Sequence, residues 1–212
     1  MIKNIFFDFD GVILDSVDCK TEAFYQMYLK YGETIAEEVK SYHLSNGGIS
    51  RFEKFKYWEK KYFNRELNKN ELMELANEFS NLVLENVINS KPIKGALEFI
   101  TKDSNYKKFI ITGTPTNEII EITNRLGISK YFIEINGSPE EKTYWTEHLI
   151  KKYNLNRNQT IFIGDASTDY KAAIFSKLKF ALRKAEYNSE FFKSIEVFKF
   201  SDFKQLENYI NE

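Results

Sequence analysis

The chain has 212 residues, of which 42% are hydrophobic and 29% are charged, and its formal net charge is −1. This length is typical of one core domain with a modest insertion, and the nearly neutral balance excludes the global basic field of a nucleic-acid-binding protein. Because Cys19 is the only cysteine, an internal disulfide and a cysteine metal cluster are also excluded.

The amino-terminal residues run directly into a strand-like segment. They lack the apolar run and the small-residue cleavage site of a signal peptide. No segment of the sequence approaches the roughly 20 apolar residues that a membrane-spanning helix requires. We therefore expect a cytoplasmic protein without a membrane partner.

Short apolar runs recur along the chain and stop at acidic, hydroxyl or glycine residues. The first is Ile5-Phe6-Phe7, directly before Asp8-Phe9-Asp10-Gly11. Later runs occupy 109–111, 131–133 and 161–163, with a weaker candidate at 180–182. Because these runs are rich in β-branched and aromatic residues and do not alternate with polar ones, they predict buried parallel strands.

Helical patterns separate the later strands. One of them places Ile119, Ile122 and Leu126 on a single face, and Gly127 suits the helix stop. Similar patterns cover 145–153 and 169–175. The alternation predicts an α/β fold with a three-layer, Rossmann-like parallel sheet, in which ligands bind at the carboxyl ends of the strands.

Residues 16–90 break this alternation. They contain helical stripes of apolar residues and no convincing strand. The stripes predict a helical bundle inserted after the first strand, and Pro92 and Gly95 suit the return point. We expect a core domain formed by 1–15 and 91–212 and a helical cap formed by 16–90.

Carboxylates follow two of the predicted strands. Asp8 and Asp10 point the same way from an extended chain, and Asp165 and Asp169 follow the run at 161–163. Asp8 and Asp10 alone are equally consistent with capping acids, and Asp169 with an acid at a helix N-terminus. Because clustered carboxylates repel one another unless a cation joins them, this edge of the sheet predicts a Mg²⁺ site.

Two further features indicate an anion site. Thr112-Gly113-Thr114 ends another strand just before a helix, where a hydroxyl and backbone N–H groups can hold phosphate. Lys142 lies just inside a helix and can supply a cation. Each signal is weak alone, because such turns are common and a single lysine is usually a surface residue.

Taken together, these motifs resemble the haloacid dehalogenase superfamily, in its phosphatase-rich branch with a helical cap after the first strand. The resemblance covers essentially the whole chain. It rests on four motifs in the family's order, which are Asp8-Phe9-Asp10-Gly11-Val12, Thr112-Gly113, Lys142, and Gly164-Asp165 with Asp169.

The resemblance implies a role for each residue of these motifs. Asp8 is the nucleophile, and Asp10 is first the acid and then the base. Thr112 and the Gly113 N–H bind the phosphoryl oxygens, and Lys142 bridges Asp8 and the phosphate. Asp165, Asp8 and the Asp10 carbonyl bind Mg²⁺, and Asp169 has a supporting role.

The implied activity is hydrolysis of a small phosphorylated metabolite through an aspartyl phosphate. The superfamily's dehalogenases lack an acid at the position of Asp10, because a halide leaves without a proton, whereas an alkoxide needs one. Three alternatives stay open: a phosphosugar mutase with the same core motifs, a phosphonatase and a non-catalytic binding module. A phosphonatase needs a buried cap lysine, and the sequence marks neither Lys54 nor Lys56 as buried.

The segment from His43 to Arg51 is the candidate for substrate selection. Its paired glycines, Gly47 and Gly48, allow a loop to approach a ligand. We expect Arg51 to bind substrate and a sugar phosphate or similar hydroxylated acid to fit. The alternative is an exposed polar turn in which Arg51 pairs with Glu53 or Glu37.

Overall fold

The computed structural model describes residues 1–211 and contains one six-stranded, fully parallel sheet within them. The strands are β1 (Asn4–Phe7), β2 (Lys107–Pro115), β3 (Glu134–Ser138), β4 (Thr160–Gly164), β5 (Lys179–Arg183) and β6 (Phe198–Phe200). Their order across the sheet is β3-β2-β1-β4-β5-β6. β1 therefore lies at the centre, between β2 and β4.

Helices follow the strands and fill the insertion after β1. The insertion contains α1 (Val17–Leu29), α2 (Glu33–Ser45), α3 (Arg51–Phe63) and α4 (Lys69–Ile88). The remaining helices are α5 (Ala96–Thr101), α6 (Thr116–Arg125), α7 (Lys142–Lys152), α8 (Ser167–Phe175) and α9 (Phe203–Asn211). We call α1 to α4 the cap helices. The division of the chain into core and cap domains stays a prediction.

The sheet is buried on both faces, as parallel sheets are. On one face Phe7 packs against Phe132 and Phe203, and on the other Phe6 contacts Phe109. The cluster that contains Phe7 continues into the cap helices through aromatic residues such as Phe24. Strands flanked by helices confirm the predicted α/β fold.

One predicted strand is wrong in position, and another was missed. Ser129–Tyr131 forms a 3-10 helix, and the third strand begins only at Glu134. Phe132 is nevertheless buried against Phe7, which explains the apolar run without a strand. β6 has three residues at the sheet edge and no long apolar run. In residues 1–211, every helix is too short or too polar to cross a membrane.

Candidate active site

The registers of the three central strands bring the site residues together. Phe7, the last residue of β1, is paired with Ile110 of β2 and with Ile163 of β4. Asp8 follows Phe7 directly, and its backbone N–H donates to the carbonyl of Ile163 at 2.9 Å. Because parallel strands end at a common edge, the residues after Ile110 and Ile163 lie on either side of Asp8.

Asp8 and Asp169 both contact Lys142. The Lys142 Nζ lies 2.8 Å from Asp8 Oδ2 and 2.6 Å from Asp169 Oδ1, and all three side chains are buried. The second oxygen of Asp8 accepts from the N–H of Phe9 at 2.7 Å. Burial favours loss of the Lys142 proton, but the two carboxylates outweigh it and hold the pKa of Lys142 above its usual value.

Three buried carboxylates form a group suited to a metal ion. One oxygen each from Asp8, Asp165 and Asp169 lies within 4.8 Å of the others. Burial, together with repulsion from Asp8, raises the pKa of Asp165 well above its ordinary value, so Asp165 gains from a nearby cation. Both oxygens of Asp169 are already engaged, one by Lys142 and the other by the Ala166 N–H at 3.0 Å.

This donor set fits a hard divalent cation. Asp8 and Asp165 both line the cavity next to these strand ends, and Mg²⁺ typically takes one or two carboxylates together with water and substrate phosphate. Asp169 contacts Lys142 at 2.6 Å, and its supporting role stays a prediction. The Asp10 carbonyl as a further ligand stays a prediction.

Asp10 is held in a network that the sequence did not reveal. Its carboxylate accepts from Ser16 Oγ at 2.6 Å, from Lys20 Nζ at 2.5 Å and from Thr114 Oγ1 at 3.0 Å. Burial acts to raise the pKa of Asp10, but the Lys20 ammonium and these hydrogen bonds lower it overall. Lys20 lies on α1, so this network connects a cap helix to the end of β1.

The paired glycines of the cap come into close contact with the core. The backbone carbonyl of Gly48 would lie 2.8 Å from a Cβ placed on Gly113. Thr168 donates through its hydroxyl to the carbonyl of Gly47 at 3.3 Å. The cap loop therefore covers the predicted phosphate-binding turn, as expected for a loop that approaches a ligand.

Arg51 borders the cavity, but its guanidinium is already paired. It donates to both carboxylate oxygens of Glu118 on α6, at 2.5 and 2.7 Å, and to Ser80 at 2.6 Å. It also stacks over Phe79 at 4.5 Å. The partner is thus Glu118, a residue of the core, and not the nearby Glu53 or Glu37. Arg51 as a substrate ligand stays a prediction.

Lys54 is buried, although the sequence marks neither Lys54 nor Lys56 as buried. It is 2% exposed, and its Nζ lies 2.7 Å from His43 Nδ1. Lys56, two residues later, has a side chain 51% exposed and pairs with Glu53 at the surface. Burial lowers the pKa of Lys54 to about 7 and that of His43 well below its usual value.

Tyr187 is a site residue that the motifs did not include. Its hydroxyl donates to Asp165 Oδ2 at 2.5 Å. The neighbouring Asn188 donates through its amide to the Asp165 backbone carbonyl at 2.8 Å. Both residues follow β5, so the position after the fifth strand end was the available signal.

These side chains line a small, partly open cavity between the cap helices and the strand ends. The space open to the centres of water molecules is about 70 Å³. Its lining includes the predicted residues Asp8, Asp10, Thr112, Gly113, Asp165 and Arg51, and also Lys20, His43, Lys54 and Tyr187. Lys142 contacts Asp8 from behind, and Asp169 in turn contacts Lys142.

Comparisons with known proteins agree with this geometry. The family model of haloacid dehalogenase-like hydrolases matches residues 5–182. A phosphorylated carbohydrates phosphatase of Thermotoga maritima is 26% identical over 183 residues, which cover 81% of this chain and 80% of the relative. A phosphoglycolate phosphatase of Pasteurella multocida is 25% identical over 181 residues, which cover 81% of this chain and 80% of the relative.

Solved structures share the fold. A β-phosphoglucomutase from Clostridium difficile superposes with a TM-score of 0.73 at 22% identity, covering 100% of this chain and 98% of the other. At this identity the likeness shows the fold alone. The family match confirms the resemblance that the four motifs carry, together with the prediction of a hydrolytic enzyme.

Proposed function

Because the chain belongs to the haloacid dehalogenase-like hydrolases, we propose that it removes phosphate from a small phosphorylated metabolite, with Asp8 as the nucleophile. The observation that carries the proposal is the contact of 2.8 Å between Lys142 Nζ and the buried Asp8 carboxylate. A cation at this position offsets the repulsion between an anionic nucleophile and an anionic phosphate. The names of the two phosphatase relatives support the same activity.

The first half of the reaction transfers the phosphoryl group to the protein. An Asp8 oxygen attacks phosphorus, and the bond from phosphorus to the leaving oxygen breaks as an aspartyl phosphate forms. Asp10, in its protonated state, gives its proton to the leaving oxygen and becomes a carboxylate. Thr112 and the Gly113 N–H bind the phosphoryl oxygens.

The second half returns the enzyme to its starting state. The Asp10 carboxylate takes a proton from water, whose oxygen attacks phosphorus. The bond between Asp8 and phosphorus breaks, and inorganic phosphate leaves. Ser16, Lys20 and Thr114 favour the ionised Asp10 that this step requires. Mg²⁺, held by Asp8 and Asp165, would supply positive charge close to the phosphoryl oxygens.

Hydrolysis and a mutase reaction use the same residues up to the aspartyl phosphate. The two differ in whether water or a second hydroxyl of the reoriented substrate takes the phosphoryl group. We favour hydrolysis, because both relatives described above are phosphatases by name. The cavity of about 70 Å³ also favours a small leaving group over a reorienting sugar bisphosphate.

Phosphonate hydrolysis is a second candidate, and the burial of Lys54 favours it. A neutral amine at the cavity can condense with the aldehyde of a phosphonoaldehyde, releasing water and forming an imine. Burial of Lys54, which lowers its pKa to about 7, makes a neutral amine available near neutral pH. Borohydride added with phosphonoacetaldehyde would reduce that imine and leave a mass increase on Lys54.

The proposed function is tested by phosphate release from a panel of short phosphorylated acids, alcohols and sugars in the presence of Mg²⁺. Wild-type protein should release inorganic phosphate without forming isomers, and Asp8→Asn should fall to background. Beryllofluoride with Mg²⁺ should raise the melting temperature of the wild type and leave that of Asp8→Asn unchanged. Asp18→Asn, an exposed acid on α1, is the matched control. Near-normal turnover by Asp8→Asn would refute the mechanism.

A further inference from the structure

The cationic side chains around the cavity differ in whether they have a carboxylate partner. Three of them have a carboxylate partner, and the pairs are Lys20 with Asp10, Arg51 with Glu118, and Lys142 with Asp8. Lys54 is the exception, since it forms no ion pair with any residue from 1 to 211. Its Nζ contacts a histidine nitrogen and lies 5.7 Å from the ring centre of Phe24.

A buried cation without a counter-ion is costly in free energy. Lys54 is 2% exposed and His43 is 8% exposed, so solvent offers little compensation. The charged groups that act on Lys54 from neighbouring elements are Lys20, Lys142, Arg51 and Asp10. Three of these four are cations, and Asp10 is already bound by Lys20. An anion arriving in the cavity would therefore supply the partner that the protein itself does not.

The position of Lys54 and His43 in the cavity points to a ligand with two anionic ends. Lys54 and His43 line the same cavity as Asp8 and Thr112, which lie where the phosphoryl group is expected. The Lys54 ammonium and the His43 imidazole form a compact pair suited to one small anion such as a carboxylate. A second phosphate would call for more cations, and Arg51 is committed to Glu118. A chain of a few atoms between the two ends suits a cavity of about 70 Å³.

We propose that Lys54 and His43 form a subsite for a carboxylate on the leaving group, so that the substrate is a phosphate monoester of a short hydroxy acid. This proposal rests on the proposed phosphatase function. It narrows the expected substrate, a sugar phosphate or similar hydroxylated acid, to the acid, and it assigns selectivity to Lys54 where the sequence had indicated Arg51.

The test compares two substrates that differ only in the second charge. These are 2-phosphoglycolate and its neutral amide, 2-phosphoglycolamide. Wild-type protein should prefer the carboxylate by about ten- to a hundredfold in kcat/KM, the range expected for one charge-assisted hydrogen bond. Lys54→Met should lose most of this preference, and Lys54→Arg should keep part of it. Lys56→Met, on the same helix but exposed, should leave the preference unchanged.

Binding measured without turnover separates this proposal from the proposed function. In an Asp8→Asn background, calorimetry should show tighter binding of 2-phosphoglycolate than of the amide, with the difference reduced by Lys54→Met. If neither compound is hydrolysed but this binding difference appears, the phosphatase function fails and the carboxylate subsite stands. If both compounds behave alike in wild type, or if Lys54→Met weakens both equally, the subsite is overturned.

Discussion

The buried aspartates of the site have different protonation tendencies because their neighbours differ. Lys20, with help from two hydroxyls, offsets the burial of Asp10 and keeps its pKa below the ordinary value. Within residues 1–211 Asp165 forms no ion pair, and burial together with Asp8 raises its pKa well above the ordinary value. Asp10 is therefore held as the carboxylate that would take a proton from water in the second half of the proposed reaction, whereas Asp165 is suited to a bound cation.

Tyr187 should matter for the metal through Asp165. The hydroxyl that donates to Asp165 Oδ2 at 2.5 Å fixes the orientation of that carboxylate. Because groups that orient a metal ligand typically contribute ten- to a hundredfold to metal affinity, Tyr187→Phe should raise the Mg²⁺ concentration for half-maximal activity by about that factor. Phosphate release measured across a Mg²⁺ titration provides the readout.

The control for this titration is Tyr106→Phe, since the Tyr106 hydroxyl donates to Asn211 far from the site. This variant should keep the wild-type Mg²⁺ dependence. An identical Mg²⁺ dependence in Tyr187→Phe would show that the hydroxyl does not orient the ligand.

Lys54 should also make the free energy of unfolding depend on pH. Burial lowers its pKa in the folded state from 10.5 to about 7, so between these values the unfolded chain binds more protons than the folded one. The free energy of unfolding should therefore rise with pH across this window, because the cost of a buried ammonium disappears as the proton is lost. Below about pH 7 both states are protonated, and the full cost remains.

Replacing Lys54 by Met should remove this dependence. Lys54→Met should stabilise the protein near pH 7 by up to a few kcal/mol and by progressively less toward pH 10. Urea unfolding of wild type, Lys54→Met and the exposed control Lys56→Met at pH 7 and pH 9.5 measures the difference. Equal effects of Lys54→Met at both pH values would contradict a buried ammonium as the cause.

At the scale of elements, one buried ion pair joins cap helix α3 to core helix α6. The side chains of Arg51 and Glu118 are 3% and 8% exposed, and Arg51 donates to both carboxylate oxygens. Arg51→Ala should destabilise the protein by about 3–5 kcal/mol, because it leaves Glu118 buried without its partner. The double variant Arg51→Met, Glu118→Leu should recover much of this loss.

Urea unfolding of the single and double variants measures the coupling between the two residues. Kinetics with substrates that carry or lack a carboxylate then decide the role of Arg51. A proportional loss of kcat/KM on every substrate agrees with a link between helices. A loss confined to one substrate class would instead support Arg51 as a ligand, as the sequence had suggested.

The elements that the sequence predicted are those with strong local patterns. The runs before Asp8 and Asp165 became β1 and β4, because a central parallel strand must be apolar on both faces. The run at 131–133 was misplaced, since Phe132 is buried directly after a 3-10 helix and outside the strand, and a local pattern records burial but not strand pairing. β6 was missed because a three-residue edge strand leaves almost no pattern.

The site residues that the sequence predicted are likewise those with a local signal, and the residues that it missed lack one. Asp8, Asp10 and Asp165 follow strand ends and Thr112 lies among the last four residues of β2, so the order of the motifs along the chain already indicates a common edge of the sheet. Lys20 and Lys54 could not be found, because a lysine on a helix reads as a solvated residue unless the packing of other helices is known. Their burial depends on the arrangement of α1 to α4 against one another and against the strand ends.

At the scale of the whole molecule, the cavity exists only because the cap helices and the strand ends meet. The contacts that connect them include Lys20 with Asp10, Arg51 with Glu118, and Gly47 with Thr168. We expect a substrate to enter this cavity of about 70 Å³ as such contacts separate. The fit of the cap loop against the core is therefore part of the catalytic geometry.

Gly48 is the position where this fit is tightest. Its φ is +75°, and a Cβ there would lie 1.9 Å from Thr168 Oγ1 and 3.1 Å from Lys142 Nζ. Gly48→Ala should therefore hinder closure and lower kcat/KM by at least about tenfold on every substrate in proportion, because misplacement of about 1 Å can cost a hundredfold. The left-handed backbone adds only about 1 kcal/mol of strain, so the melting temperature should fall by a few degrees at most.

Two further variants distinguish hindered closure of the cap loop over the strand ends from general damage to the loop. At Gly47 a Cβ would meet only the Ala166 Cβ, at 3.2 Å, so Gly47→Ala should be much milder. Adding Thr168→Ala to Gly48→Ala removes the hydroxyl that the new methyl group would meet and should restore part of the activity. Steady-state kinetics and thermal unfolding of all four proteins, wild type included, give the answer. Wild-type kcat/KM in Gly48→Ala would mean that catalysis does not require the closed contact between this loop and the core.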